Sequence, residues 1–316
     1  MGHRHHHHDH DGHAHDGHGH HHHAPGPDAD RRWLTVALVL IASFMAAEVV
    51  AGLLADSLAL LSDAAHMLTD AASIALALWA ARLAARPAQG RFTFGLGRAE
   101  ILSAQVNGAS LLVLAGVIAI EAVQRLFDPP SVDGGVVVLV GALGAAVNVA
   151  AAMALARASR QSLNVAGARA HVMADLFGSL AAVAAGLGVL LFDRPEVDGA
   201  ASLVVAALMM RTGWSLVRDA GRVLLEAAPA GVDPEAVGRT LAGVPGVVEV
   251  HDLHVWEITT GFPALAAHVL VARGDDCHRK RRELQLLLGE RFGIEHVTLQ
   301  VDHEREPHLL SIEPRG

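Results

Sequence analysis

The 316-residue chain has one cysteine and one lysine, and both scarcities exclude whole classes of protein. A lone Cys277 cannot form an intramolecular disulfide. The only lysine is Lys280, and no GxxxxGK sequence followed by Ser or Thr is present, so we do not expect ATP to drive the protein's function. The HExxH motif of zinc-dependent peptidases is also absent. A pump with this composition would have to use an ion gradient.

Basic stripes and export signals are missing as well. The net charge is −9, and no cluster of basic residues is interleaved with aromatic residues, which argues against a nucleic-acid partner. The N-terminus has no basic segment followed by a short apolar segment, so we predict no secretory signal peptide. No motif for an organic cofactor is apparent, and none is expected.

Apolar residues, by contrast, are abundant. They make up 52% of the chain, and the mean hydropathy is +0.36. Six apolar stretches each approach the roughly 20 residues that a helix needs to cross a bilayer. They run over residues 33–54, 58–81, 101–122, 135–156, 165–191 and 198–217. We therefore predict a six-helix transmembrane domain over residues 31–218, in contact with membrane lipid.

Arginines are distributed unevenly between the loops of this predicted bundle. Four segments are rich in arginine: the one before the first helix, those between the second and third and between the fourth and fifth helices, and the one after the sixth helix. Arg125 and Arg194 are the only arginines near the opposite loops. Cytoplasmic loops carry an excess of basic residues. We therefore expect a multi-pass protein of the inner (plasma) membrane with both termini in the cytoplasm.

The last hundred residues have the pattern of a soluble domain. Helical patterns at 233–242 and 278–291 are interspersed with strand-like stretches at 247–259, 263–272 and 294–302. The order α-β-β-α-β predicts a cytoplasmic ferredoxin-like α+β domain over residues 219–305, followed by a tail over 306–316.

The N-terminal 30 residues cannot form a core, and we predict a disordered cytoplasmic tail. Thirteen histidines alternate there with Asp and Gly, which is unlike the unbroken run of an expression tag, the alternative interpretation. Such a tail would bind metal with low affinity. Its histidines are His3, His5, His6, His7, His8, His10, His13, His15, His18, His20, His21, His22 and His23.

One motif occurs twice in the predicted bundle. His66 precedes Asp70 by four residues in the second span, and His171 precedes Asp175 by four residues in the fifth. Four residues is about one helical turn, so each pair lies on one face of its helix. Two imidazoles and two carboxylates are a ligand set that suits tetrahedral Zn²⁺, and their charge of −2 balances the cation. The alternative is that these are buried polar residues hydrogen-bonded within the bundle.

Two further acidic residues lie inside the predicted spans. Asp63 comes three residues before His66, and Glu48 lies in the first span. Both are interpreted as outer-shell partners of the metal site or as proton carriers rather than as direct ligands.

On the basis of these residues, the chain resembles the zinc-transporting branch of the cation diffusion facilitators. The stretches that carry the resemblance are Ser57–Asp70, Phe94–Glu100, Ser162–Ser179, Leu224–Pro229 and His251–Trp256. The resemblance implies a six-helix membrane domain, a cytoplasmic metal-binding domain, a homodimer and metal/proton antiport. It also implies that His66, Asp70, His171 and Asp175 form the transport site, with His66 favouring zinc.

The resemblance further implies a cytoplasmic metal site at His251, His268 and Asp302, where Zn²⁺ would act as a regulatory ion. Gln300 and His278 occupy or approach positions at which relatives use His or Cys, and they depart from that pattern. Four other histidines are interpreted as surface residues. They are His254, His296, His303 and His308.

Taken together, the sequence predicts a secondary active transporter that exports Zn²⁺ from the cytoplasm in exchange for H⁺. Cd²⁺, Co²⁺ and Ni²⁺ share the same ligand types, so they stay open as further substrates. The alternative is a membrane metal sensor or receptor with the same sites and no net flux. A membrane metalloenzyme is disfavoured because four protein ligands leave no open position for a reactive water.

Overall fold

The computed structural model describes residues 27–54, 58–127, 134–158, 162–192 and 196–304. Within these ranges, the side chains of 27–29, 51–52, 58–66, 136, 189 and 196–198 are outside the description. Six long helices come first in the chain. They are α1 (Pro27–Leu54), α2 (Leu58–Ala84), α3 (Arg98–Phe127), α4 (Gly134–Leu155), α5 (Leu163–Phe192) and α6 (Glu196–Leu224).

All six helices are long and apolar enough to cross a membrane, which confirms the predicted spans. Several extend beyond the apolar stretches because backbone hydrogen bonding continues where hydropathy falls. The third span was predicted over 101–122, for example, whereas α3 begins at Arg98 and ends at Phe127. Many large apolar side chains on these helices face outward, as expected for a surface that contacts lipid acyl chains.

Small residues allow the helices of the bundle to pack closely. The clearest case is between α3 and α6, where a Cβ added at Gly213 would lie 2.9 Å from the carbonyl oxygen of Gly108. Such contacts between small residues are typical of membrane helix pairs. On the other side of the bundle, Leu34, Ile74 and Val172 belong to one buried apolar cluster that joins α1, α2 and α5. The interior of the bundle is therefore tightly packed around the second and fifth helices.

The C-terminal domain has the predicted order of elements. It consists of α7 (Pro234–Ala242), β1 (Val247–Thr259), β2 (Phe262–Val271), α8 (Cys277–Phe292) and β3 (His296–His303). In the sheet, β2 lies between β1, its antiparallel neighbour, and β3, its parallel neighbour.

An aspartate caps the N-terminus of each helix in this domain. Asp233 and Asp276 cap α7 and α8, and each side chain accepts hydrogen bonds from the first turn. At Asp276 those backbone N–H groups, from Arg279 and His278, lower the pKa of the carboxyl. Apolar residues of both helices pack on the sheet in a single core. The predicted α+β fold is confirmed.

The loop before α3 joins the membrane helices to the cytoplasmic sheet. Arg98 donates from Nε to the carbonyl oxygen of Ile258 over 3.2 Å and forms a 3.0 Å ion pair with Glu226, two residues after the end of α6. Thr259 donates to the carbonyl oxygen of Gly97 over 3.1 Å. Both charged side chains are well exposed, so the ion pair adds at most about 1 kcal/mol. These contacts connect β1 mechanically to α3.

Candidate functional site

A buried polar site lies where α2, α3 and α5 meet. His171 on α5 is 1% exposed, and its Nδ1 lies 3.4 Å from the Oδ1 of Asp70 on α2. Nδ1 makes no hydrogen bond among the described residues, so this contact has the distance of an ion pair without hydrogen-bond alignment. Two of the four predicted transport ligands, from different helices, are therefore adjacent.

The separation of these two atoms is close to what a tetrahedral zinc ion requires. With metal–ligand distances of about 2.0–2.1 Å, two ligands of one tetrahedral Zn²⁺ are about 3.3 Å apart. The 3.4 Å between Nδ1 and Oδ1 matches that distance with little rearrangement. A cation can therefore bind between Nδ1 of His171 and Oδ1 of Asp70.

The opposite nitrogen of the His171 ring faces two hydroxyls. The Oγ of Ser73 on α2 lies 3.3 Å from Nε2, and the Oγ of Ser110 on α3 lies 3.2 Å from it. Neither serine was predicted as a site residue. The signal for Ser73 was its position three residues after Asp70, on the same face of α2; nothing in the sequence distinguishes Ser110 from other helical serines.

Side-chain amides hold the three helices together around this site. Asn107 on α3 donates to the carbonyl oxygen of Ser73 over 3.4 Å, and Asn164 on α5 donates to that of Ala77 over 2.7 Å. Gly167 on α5 approaches Asn107 so closely that an added Cβ would lie 3.3 Å from its side chain. In a bilayer, hydrogen bonds between helices contribute about 0.6 kcal/mol each. Together these contacts join α2 to α3 and α5 beside Asp70 and His171.

The remaining predicted membrane residues differ in their burial and in whether their side chains are described. Asp175 follows His171 by one helical turn on α5 and is half-buried. Glu48 is buried in α1. His66 and Asp63 lie on α2, one and two turns before Asp70, but their side chains are outside the described part.

A second cluster of potential ligands lies in the cytoplasmic domain. His251 on β1 pairs in register with His268 on β2, with their ring centroids 5.3 Å apart. Asp252 completes a group in which one ligand atom from each residue lies within 4.8 Å of the others. A bulge in β1 between His251 and His254 gives Asp252 a positive φ of 49°, which directs its carboxylate to 3.9 Å from Nδ1 of His268.

The third candidate ligand in this cluster is Asp252, whereas the family resemblance implies Asp302. Asp302 on β3 is in register with Leu270 rather than with His268, and its carboxylate accepts a hydrogen bond from Gln300 over 2.9 Å. It is not part of the His251–Asp252–His268 group. Because a bulge cannot be recognised from the His-Asp-Leu-His sequence, Asp252 was missed.

The other histidines have more ordinary surroundings. His254 is exposed on β1, and the ring of His296 packs edge-on against Phe94. The Nε2 of His303 lies 2.9 Å from the carbonyl oxygen of Asp275. The His-rich tail and His308 lie outside the described residues.

Two buried candidate ligands within a bundle of six apolar helices, and a cluster of further candidate ligands on the C-terminal domain, are features expected of an integral membrane protein that handles metal ions. Comparison with known families agrees. The cation efflux transmembrane domain matches residues 34–225, and the cytoplasmic domain of cation efflux proteins matches residues 229–304. The chain belongs to the cation efflux family, as the resemblance implied.

Relatives cover most of the chain. A "Cadmium, cobalt and zinc/H(+)-K(+) antiporter" of Bacillus subtilis is 36% identical over 89% of this chain and 91% of its own. The "Metal cation efflux system protein CzcD" of Cupriavidus metallidurans is 38% identical, with 86% and 87% covered. A human proton-coupled zinc antiporter is 34% identical, with 87% and 78% covered.

Among solved structures, the metal-bound C-terminal domain of the CzcD transporter is 35% identical to the matched part of this chain. It covers 22% of this chain and 97% of that one, with a TM-score of 0.22.

Membership of this family settles the general function. The protein is a multi-pass membrane transporter for the efflux of metal cations, and it is not an enzyme.

Proposed function

We propose that the protein exports Zn²⁺ from the cytoplasm in exchange for H⁺, through a site formed by His66, Asp70, His171 and Asp175. The observation that carries this proposal is the pair of buried ligand atoms from Asp70 and His171, 3.4 Å apart in the middle of the bundle. Their spacing suits a tetrahedral metal ion. The proposal adds His66 and Asp175 because each lies one turn away on the same helix face.

Charge explains how one site can serve two ions. A carboxylate near the centre of a bilayer costs very roughly 3 kcal/mol, a cost that a bound cation reduces. Imidazole and carboxylate must lose their protons before they coordinate a metal. Zinc and protons therefore exclude each other from the same ligands. Protonation on the outer side would release zinc there, and the protons would return inward.

The names of the relatives support both ions. The Bacillus subtilis protein is named for cadmium, cobalt and zinc together with H⁺ and K⁺, and the human protein for zinc coupled to protons. A site with two imidazoles favours zinc, while Cd²⁺, Co²⁺ and Ni²⁺ share its ligand preferences to different degrees. We propose zinc as the chief substrate and these ions as secondary ones.

We also propose how the chain assembles in the membrane and what its N-terminal tail does. The protein would act as a homodimer with both termini in the cytoplasm. The His-rich tail would raise the metal concentration near the cytoplasmic opening without being part of the transport path.

Zinc uptake into proteoliposomes tests the proposal against a sensor without flux. Vesicles holding the full-length protein are given Zn²⁺, Cd²⁺, Co²⁺ or Ni²⁺ outside, with the lumen more acidic than the medium. We expect zinc to accumulate fastest and to lose that accumulation when a protonophore dissipates the pH gradient. Zinc binding without accumulation would favour the sensor.

We also propose that zinc at His251 and His268 regulates the dimer. Residues 219–316 contain 16 acidic and 10 basic residues, so two such domains repel each other within a Debye length of about 8 Å. Bound zinc would neutralise part of this charge and draw the domains together. The contacts of Arg98 with Glu226 and Ile258 would transmit the movement to α3.

Distances between spin labels on the two cytoplasmic domains test this regulation. We expect zinc to shorten the distance in the wild type and in His254→Ala, which removes an exposed histidine from the same strand. His251→Ala/His268→Ala should leave the distance unchanged by zinc. Comparing Asp252→Asn with Asp302→Asn then determines which carboxylate completes the site. Equal shortening in the double histidine variant would contradict the proposal.

A further inference from the structure

The side of the His171 ring that faces away from Asp70 contacts two serine hydroxyls. These contacts bear on which ring nitrogen carries the proton. Ser73 and Ser110 reach Nε2 from two different helices, at 3.3 and 3.2 Å. Ser73 is buried and Ser110 half-buried. The first serine lies on α2 with Asp70, whereas the second comes from α3, to which no transport ligand has been assigned.

The other hydrogen bond of Ser110 limits whether its hydroxyl can donate to the ring or accept from it. A serine hydroxyl has one hydrogen to donate. Ser110 donates it to the carbonyl oxygen of Asn107, 2.9 Å away on the preceding turn of α3. While that bond is kept, the Oγ of Ser110 can only accept towards Nε2 of His171, which favours the ring tautomer with its proton on Nε2.

The other nitrogen is then left without a proton. With the hydrogen on Nε2, Nδ1 presents a bare lone pair, and this is the atom that lies 3.4 Å from Oδ1 of Asp70. Nδ1 makes no hydrogen bond with the described residues, so none of their donors occupies that lone pair. In this tautomer a lone pair and a carboxylate oxygen face each other across 3.4 Å, an arrangement that a cation between the two atoms stabilises. In the opposite tautomer, two lone pairs would face each other between Nε2 and Ser110.

We propose that Ser110, assisted by Ser73, is a positioning residue that holds His171 in the Nε2–H tautomer and so keeps Nδ1 ready to bind zinc. The inference rests on the proposed function, since it specifies how one ligand of the transport site is prepared. Metal-binding histidines commonly donate their second N–H to an acceptor, which fixes the tautomer and the ring orientation. Here the Ser110 hydroxyl on α3 is that acceptor, and the Ser73 hydroxyl contacts the same nitrogen from α2. The contact with Ser110 also makes the affinity of the site depend on the position of α3.

Ser110→Ala tests the assignment in the full-length protein. Removing the acceptor lets the Nδ1–H tautomer compete, so the KM for zinc flux should rise by about 10-fold, at the lower end of the 10- to 100-fold typical of such outer partners. The maximal rate at saturating zinc should stay within about twofold, because the ligands themselves are intact. Ser73→Ala/Ser110→Ala should raise KM further. Ser110→Thr keeps a hydroxyl and should restore the wild-type KM.

Ser103→Ala is the matched control. Ser103 lies on the same helix two turns earlier, is 3% exposed, and its Oγ makes no hydrogen bond among the described residues. Its substitution removes the same atom from the same helix without touching His171, so KM should not change. A KM for the double serine variant within twofold of the wild type would overturn the inference. So would equal shifts in Ser110→Ala and Ser110→Thr.

Equilibrium zinc binding, measured on the same purified dimers, separates this inference from the proposed function. The binding lost in Asp70→Asn is assigned to the membrane site. If the wild type binds zinc there but shows no flux, antiport is wrong, and the serine assignment is judged on the Kd of that site. A Kd raised about 10-fold in Ser110→Ala and restored in Ser110→Thr supports it, and an unchanged Kd overturns it.

Discussion

Asp70→Asn should reduce zinc flux by at least about 100-fold, which is beyond the roughly 10- to 100-fold loss caused by removing an outer partner of a metal site. The amide has the shape of the carboxylate but no charge, so the site keeps one carboxylate where the divalent ion needs two. The substitution also removes the anionic oxygen that lies 3.4 Å from Nδ1 of His171 and would bind the cation together with it. Flux in proteoliposomes, with luminal zinc followed by a fluorescent indicator, provides the measurement.

The same substitution at an exposed membrane-helix carboxylate provides the control. Glu121 lies on α3, 11 residues from Ser110 and therefore about 16 Å along the helix from the site. Glu121→Gln should keep wild-type flux. The Asp70→Asn protein should still purify as a folded dimer, because replacing a buried carboxylate by an amide lowers the cost of insertion. Near-normal flux in Asp70→Asn would remove Asp70 from the transport site.

His66→Asp should lower the ratio of zinc flux to cadmium flux by about tenfold, the ratio that 1.4 kcal/mol of differential binding produces. The substitution exchanges an imidazole nitrogen for a carboxylate oxygen and adds a third negative charge. Nitrogen-rich tetrahedral sites suit Zn²⁺, whereas oxygen-rich sites admit larger ions. Competitive flux with both metals present measures the ratio directly.

His254→Asp makes the same chemical change on an exposed strand of the cytoplasmic domain and should leave the ratio unaltered. A ratio that stays at the wild-type value in His66→Asp would mean that His66 does not select the ion. Complete loss of both fluxes would show that the imidazole is required for transport itself.

The fold was predictable because hydropathy and capping act locally. The strand β1 was predicted over 247–259 and is found there, and Asp233 marks the start of α7 in both sequence and structure. The ends of the membrane helices were less predictable. Helical hydrogen bonds continue through Arg98 and Arg125, whose charges interrupt the apolar stretch without interrupting the helix.

The site was predictable only as far as helical periodicity extends. Repeating His-x-x-x-Asp pointed to His171 and Asp70, which the structure brings together from two helices. Ser110 was not predictable, because its role depends on how α3 packs against α5, and a serine in a membrane helix has no distinctive pattern. Asp252 was missed for a similar reason, since a β-bulge redirects its side chain.

Simultaneous recording of zinc and pH inside the same vesicles tests the central claim most directly. Vesicles with an acidic lumen and the cytoplasmic domain outside are given zinc in the medium. Exchange at one shared site predicts that zinc influx is accompanied by a rise in luminal pH with the same time course, and that both signals vanish in Asp70→Asn. Zinc influx at the wild-type rate with no change in luminal pH would contradict the exchange of zinc for protons.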